Sequence, residues 1–320
     1  MCYISSVLKK GFKIALVGKS NKSAKVNHSS SYLFPVYAPK MYRFAFAVAL
    51  FGFVCHFGLT KNYSPYYYCE KNYCPVGKPN VGCGCKFNES YGPGCSGKSA
   101  TLHKFSRKDI QFVLHIHNHL RNLFACGLIN RFFPAVRMVQ LRINEDLQSL
   151  AECNVKNCTY GHDQCRSTEH YHYAGQNIAK RTVCGRTLTV SEVVNSSLYA
   201  WFDEYWDTKS EMLAKYPDYS LKKPIGHFTL LVNDNVYFIG CAMVSYAVRI
   251  KDYFAETGED CRAYYFVCNY SFINLKNRAT YTAGVKPATM CQSHHSKQYP
   301  CLCSVQEPYS TSIDWQDQVL

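Results

Sequence analysis

Of the 18 cysteines in this 320-residue chain, sixteen lie beyond an apolar leader that begins at Met41, and nothing else in the sequence narrows the choice of fold so far. Lys40 and Arg43 give the leader a positive flank, Phe44 to Cys55 is apolar, and small residues follow at Gly58 to Thr60. These are the parts of a secretory signal peptide. A spanning helix needs roughly 20 apolar residues, and this run is shorter. Residues 41–60 are therefore read as the signal peptide and residues 61–320 as a secreted, extracellular chain, with a signal anchor as the rival. An even set of thiols behind such a leader is expected to oxidise into disulfides. Zinc fingers at Cys83/Cys85 or Cys301/Cys303 fail on spacing, because one residue separates each pair and structural zinc sites usually place two to four there.

Residues 1–40 carry seven lysines and no acid and read as a disordered extension upstream of a true start at Met41. This changes the charge argument. The whole chain is +14, but residues 61–320 hold 28 Lys and Arg against 22 Asp and Glu, a balance of +6 that implies no nucleic-acid partner. A chain of that length buries most of its unfolded surface, so bridges staple a core rather than replace one. Asn62, Asn88, Asn157, Asn195 and Asn269 open N-x-Ser/Thr sequons.

Residues 61–100 are rich in Cys, Gly, Pro and Tyr without helical period and read as a bridged loop segment. Tyr66, Tyr67 and Tyr68 form either an adhesive aromatic patch or, the preferred reading, a loop packed on itself. Ser106 with Asp109 then opens a helix whose inner face carries Ile110, Val113, His117, Leu120 and Phe124 and which stops near Gly127. His117 in that stripe reads as a hydrogen-bonded core histidine. A second helix starts near Asn144, with Glu145 and Asp146 in its first turn and Leu147, Leu150, Ala151 and Val155 inside. A third opens on the Thr189/Glu192 capping box and runs through Val194, Leu198, Trp201 and Tyr205. Glu204, at the edge of its apolar stripe, is a shielded carboxylate that needs a partner.

Three later runs, His227 to Val232, Val236 to Tyr246 and Tyr264 to Tyr270, are rich in β-branched and aromatic residues, with Asn233 to Asn235 as a turn. They read as antiparallel strands. Helices grouped around a short sheet give an α+β layered domain. From Ala279 on, Gly, Pro and the trio Cys291, Cys301 and Cys303 suggest a stapled C-terminal extension, loose after Ser304.

Gly226-His227-Phe228-Thr229, Ile239-Gly240-Cys241 and Phe266-Val267-Cys268-Asn269-Tyr270 together resemble the signature pair of the CAP superfamily of cysteine-rich secretory, antigen-five and pathogenesis-related proteins. His117-Asn118 with Arg121, Tyr160-Gly161-His162-Asp163, Cys165-Arg166, Gly175-Gln176-Asn177-Ile178-Ala179 and Trp201-Phe202-Asp203-Glu204 follow in order and look like its insect venom-allergen, antigen-five branch. So do Tyr68-Cys69, Cys74-Pro75 and the closing cysteines. The resemblance covers about 61–304. It implies a three-layer α-β-α sandwich with a small antiparallel sheet, a CAP domain over 101–275 and a Cys-containing extension and tail over 276–320. It also implies pairs Cys241–Cys268, Cys74–Cys165 and Cys95–Cys158, with Cys69 joined to Cys85 or Cys83. Cys291 is expected to bridge Cys301 or Cys303. Cys126, Cys153, Cys184 and Cys261 are left unassigned.

The same resemblance implies a central cleft lined by His162, His227, Glu204 and Gln176. Glutamine at 176 replaces an acid common elsewhere in the superfamily, keeping hydrogen bonds but removing a hard-metal ligand. His162, His227 and Glu204 would match a His2Glu zinc site, although no H-E-x-x-H helix accompanies them. Leu230 and Asn233 stand where the family usually has Gln and Trp, so the cleft wall is altered. The expected function is a non-enzymatic extracellular binding or signalling protein, a monomer, with a lipid or sterol, a receptor or a channel as partner. The alternatives are a zinc-dependent hydrolase using the same cleft and a scaffold without cleft function.

Overall fold

A computed structural model of the protein describes residues 67–85, 90–250 and 259–309. The leader, the upstream extension, Tyr66, Asn62 and Asn88 lie outside the described residues. The chain divides into two units, 1–59 and 60–320, and everything described belongs to the second.

After a single turn α1 (Tyr67–Glu70) and a 3-10 turn (Pro93–Cys95), the elements are β1 (Thr101–Leu102), α2 (Arg107–Ala125), β2 (Arg142–Ile143), α3 (Glu145–Val155), β3 (Gly175–Cys184) and α4 (Val190–Phe202). A 3-10 stretch (Asp203–Asp207), α5 (Ser210–Ala214), α6 (Gly226–Leu231), β4 (Phe238–Ile250) and β5 (Glu259–Tyr270) complete the order. The helix starts are set by their capping residues. Ser106 and Asp109 close a reciprocal capping box on α2, Thr189 and Glu192 close another on α4, and the Asn144 side chain accepts from Leu147 N–H at the head of α3. The third helix ends earlier than its periodicity suggested, tightening to 3-10 after Phe202 and carrying Glu204 and Tyr205 in that tighter turn.

The sheet runs β1-β4-β5-β3, antiparallel throughout, with β2 joining the free edge of β4 in parallel. Because side chains alternate across a strand, β4 and β5 feed two cores. Cys241, Met243, Tyr264, Phe266, Cys268 and Tyr270 face the layer of α2, α4 and α6, whereas Ala242, Val244, Tyr265 and Val267 face α3. Helices thus cover both faces of the sheet, which is an α-β-α sandwich. On the α3 side the approach is close enough that a Cβ on Gly240 would lie 2.0 Å from Gln148 N and 2.5 Å from Leu147 C.

Two expectations about elements change. The run His227 to Val232 is the helix α6 rather than a strand. It makes no sheet partner, and the N–H groups of its second and third residues, His227 and Phe228, are taken by the Glu204 carboxylate. Conversely β3, for which no strand was expected, pairs with β5 from Gly175↔Tyr270 to Cys184↔Cys261.

All sixteen cysteines form bridges. Cys74–Cys165, Cys95–Cys158 and Cys241–Cys268 are as expected, the last across directly opposed positions of β4 and β5. Cys69 pairs with Cys83, not Cys85; Cys85 instead reaches Cys153 on α3 and ties the N-terminal segment to the core. Cys184–Cys261 joins β3 to β5, Cys291 takes Cys303, and Cys301 takes Cys126 at the C-cap of α2. The N-terminal loop also packs on itself, with the Tyr67 and Tyr68 rings edge-to-face at 5.0 Å and Tyr68 buried.

The extension past Ser304 is docked as far as it is described. Glu307 is buried, pairs with Arg137 at 2.7 Å and accepts from Gln292 N–H, Ser293 N–H and the Ser293 hydroxyl. Its burial alone would raise its pKa, but these bonds hold it down at about 2. An anchored carboxylate replaces the expected loose tail through Tyr309.

Candidate functional site

Glu204 leaves α4 in the tight turn that follows it, its side chain only 12% exposed. One carboxylate oxygen, Oε1, meets His227 Nδ1 at 2.6 Å, and the other accepts from His227 N–H at 2.9 Å and Phe228 N–H at 3.1 Å. The partner this shielded acid requires is thus the first turn of α6. The far end of α6 is held by Arg121 of α2, which is fully buried. Its guanidinium donates to the carbonyls of Leu231 and Asn233, and to those of Val139 and Val236. A buried guanidinium is tolerable only when its donors are satisfied, and burial lowers its pKa to about 10. Opposite charges therefore bracket the short helix that carries His227. The His227 ring stacks on Trp201 at 5.9 Å and 18°, and Trp201 stacks in turn on Phe266 at 5.5 Å and 12°.

His162 reaches the same region from the loop between α3 and β3. Cys158 and Cys165 bracket that loop with disulfides, and Gly161 O accepts from the Tyr265 hydroxyl and the Asn154 amide. Gln176, second residue of β3, fixes the ring: its Oε1 lies 2.9 Å from His162 Nδ1 and also accepts from Asp163 N–H. Its Nε2 donates to Asp163 Oδ2 at 2.6 Å and to Asn269 Oδ1 at 3.0 Å. Every donor and acceptor of the amide is used. A carboxylate at 176 would instead face the oxygens of Asp163 and Asn269, which is a physical reason for glutamine here. The Asp163 carboxyl is pushed up by burial and held back by the Arg166 charge and by bonds from Asn154, Gln176 and Arg166.

His162, Gln176 and His227 line a cavity of about 490 Å³ together with Arg166, Lys276, Leu230 and Ile273. Glu204 lies behind His227 and does not line it. His162 sits at the exposed rim, yet loss of solvation lowers its pKa; Gln176 opposes this, whereas Arg166 and His227 add to it. His162 is accordingly neutral at pH 7. His117, on the inner face of α2, is not part of the cavity. It is fully buried, donates to Val113 O and accepts from the Tyr270 hydroxyl, and burial takes its pKa to about 4.

The His2Glu metal set does not fit this geometry. Among the described residues, the trios of His, Cys or acidic side chains whose ligand atoms gather within 4.8 Å are His117 with Cys241 and Cys268, and Glu307 with Cys291 and Cys303. Their cysteines are all in disulfides. His162, His227 and Glu204 do not form such a group. What the site does offer is two imidazoles whose Nδ1 atoms are engaged by Gln176 and Glu204.

The sequence profile of the cysteine-rich secretory protein family, CAP, matches residues 114–270. Venom allergen-1 of Aedes aegypti is 32% identical over 240 residues, 75% of this chain and 88% of the relative. The chain belongs to the CAP family. Antigen 5 like allergen Cul n 1 of Culicoides nubeculosus is 35% identical over 164 residues, 51% of this chain and 74% of that one. A crystal structure of NaASP2 with Zn2+ aligns at 21% identity with a TM-score of 0.47, over 62% of this chain and 96% of the other. Within the CAP pattern, the altered wall position Leu230 is buried and lines the cavity, and Asn233 is buried in the turn after α6, its Oδ1 accepting from Asn235 N–H.

Asp163, Arg166, Asn269 and Arg121 all stood inside family motifs, but their roles were not readable from the motifs. Lys276 carried no signal at all. Its place in the cavity wall follows from the chain path after β5.

Proposed function

We propose that this CAP protein is secreted and acts by binding, not by catalysis, and that the cavity between His162 and His227 is the binding site. One observation carries the reading: both acids near the imidazoles are spent. Glu204 has one oxygen on His227 Nδ1 and the other on two backbone N–H groups. Asp163 gives one oxygen to Asn154 and the other to Gln176 and Arg166. A hydrolase needs a base beside the attacking water; none of the described Asp or Glu residues lines this cavity, and the two imidazoles that do have their Nδ1 atoms engaged. The lining supplies instead the cation Lys276, an Arg166 whose charge is shared with Asp163, two imidazole nitrogens and an apolar wall of Leu230 and Ile273. That combination suits an amphipathic extracellular ligand with an anionic group, such as an acidic lipid.

A divalent ion held between the His162 and His227 Nε2 atoms is the second reading, supported by their anchored Nδ1 atoms. In that case the ion would supply Lewis acidity toward an anionic ligand, while Gln176 and Glu204 hold the rings. Eight disulfides suit an oxidising extracellular setting.

Native mass spectrometry of the oxidised, secreted protein tests the proposal alongside a peptide and ester hydrolysis panel run with Zn2+ and with chelator. The expected result is a ligand or metal adduct that His162→Gln and His227→Gln remove, and no chelator-sensitive turnover. Turnover that disappears in His227→Ala would overturn the binding reading.

A further inference from the structure

We propose that α2 carries a second divalent-metal site on its outer surface, formed by His115 and His119, separate from the cleft and independent of how the cleft is read. Residues four apart on a helix lie one above the other on one face. His117, between them in sequence, points the other way into the core, whereas His115 is exposed and His119 half-buried. Their rings stand 6.0 Å apart at 28°. This is the spacing that lets two imidazoles of an H-E-x-x-H helix share one ion. Here it occurs without the glutamate, which makes the pair a chelator and not a catalytic centre.

The C-terminal extension supplies the part that a bare surface pair would lack. The Tyr299 hydroxyl lies 3.0 Å from His115 Nδ1, with the rings 6.2 Å apart. When it accepts Nδ1–H, Nε2 is left as the coordinating atom, the arrangement that metal-bound imidazoles show almost always. Tyr299 is itself held firmly: its N–H donates to the Ser296 hydroxyl and its carbonyl accepts from Leu302 N–H. The Cys126–Cys301 bridge fastens this stretch to the end of α2. The disulfide-bound extension thus orients one ligand, and the helix places the other one turn away on the same face.

Two neutral imidazoles with the remaining positions open to water suit a borderline first-row divalent ion, and Cu(II) is bound more tightly than Zn(II) by such a donor set. Coordination requires neutral imidazole, so binding weakens on acidification.

The test is titration of the oxidised secreted protein with Cu2+ and, separately, Zn2+ alone, followed by calorimetry and by electron paramagnetic resonance of the Cu2+ form. A His162→Gln/His227→Gln background removes the cleft imidazoles. One Cu2+ equivalent with nitrogen ligation is expected to survive there, and His119→Gln should remove it. In the otherwise unaltered protein, His119→Gln should lower the Cu2+ stoichiometry by one. Tyr299→Phe keeps both ligands and should weaken binding about tenfold. An unchanged stoichiometry in His119→Gln overturns the site, and an unchanged affinity in Tyr299→Phe overturns the orienting role of the extension. No cleft adduct in the unaltered protein, with the His119-dependent equivalent retained, would count against the proposed function and leave this site standing.

Discussion

Replacing Glu204 with Gln preserves the shape of the side chain and removes its charge, so it isolates what the carboxylate does. The amide cannot serve all three donors that the carboxylate accepts from: its oxygen can stay on the backbone N–H groups of His227 and Phe228, but its NH2 then faces His227 Nδ1. The ring must answer by accepting at Nδ1 and carrying its proton on Nε2, toward the cavity. Bonds to a charged group contribute about 1.5 to 3 kcal/mol against about 0.5 to 1.5 for neutral ones. Three weakened bonds at a site only 12% exposed therefore cost about 3 kcal/mol. For a domain of this size that corresponds to a fall in Tm of about 6 to 12 °C. Calorimetry on the oxidised protein reads the Tm, and 15N-resolved NMR of the imidazoles reads the tautomer. A variant that keeps the Nδ1–H tautomer of His227 and melts within about 2 °C of the parent would refute the assignment of Glu204 as the group that fixes the ring.

Acidification should destabilise the fold between about pH 6.5 and 4. His117 is neutral in the native state with a pKa near 4, while its unfolded pKa is about 6.5. The unfolded chain then binds the extra proton, and up to about 3 kcal/mol is lost across the window; denaturant midpoints at pH 7 and pH 5 measure it, and a His117→Gln variant with an undiminished pH slope would exclude this residue as the cause. Gln176→Glu should destabilise by about 1 to 3 kcal/mol at neutral pH, because its carboxylate meets Asp163 Oδ2 where an amide now donates at 2.6 Å. Part of that loss should return near pH 5, as the two acids come to share a proton, and a variant as stable as the parent at pH 7 would contradict it. Gly240→Ala pushes a methyl into the backbone of Leu147 and Gln148 and should cost at least about 1 to 3 kcal/mol by overpacking, read as a lowered unfolding midpoint. Glycopeptide mapping should find glycan on the exposed Asn157 or Asn195 but none on Asn269, which is fully buried and bonded to Leu147 O and Gln176; a glycan at Asn269 would mean the sequon is modified before β5 folds.

Legibility followed the range of the forces involved. The starts of α2, α3 and α4 were readable because Ser106, Asn144 and Thr189 cap helices within their own first turns. The apolar runs of β4 and β5 were readable because both faces of those strands are buried. The segment from His227 to Val232 was misread as a strand for a related reason: it has strand-like residues, and what makes it helical is Glu204, more than twenty positions upstream. β3 escaped notice because Lys180-Arg181-Thr182, in its second half, is polar and exposed. The identity of Gln176 was visible in the sequence, yet its necessity depends on Asp163 and Asn269 meeting it in space. The partner of Cys85 failed likewise, since bridge connectivity is a matter of spatial approach that spacing does not encode.

The mounting of His227 bears on whether the cavity binds or reacts. Its helix is gripped by a carboxylate at one end and a guanidinium at the other, and its ring forms the outermost layer of a stack that begins at Phe266 in the sheet. His162 is fixed as firmly, by an amide with no unused donor or acceptor. A general base must exchange its proton with a substrate and recover it, which favours a carboxylate partner able to follow the ring's changing charge. Glu204 could do so for His227, but Gln176 cannot do so for His162, and among the described residues the cavity lining holds no Asp, Glu, Ser, Thr or Cys. In binding, rigid walls reduce the ordering cost that association otherwise carries. Rigidity of this kind is what the proposed binding role would use: a preformed cavity for a ligand whose anionic part would meet Lys276 and the two imidazoles.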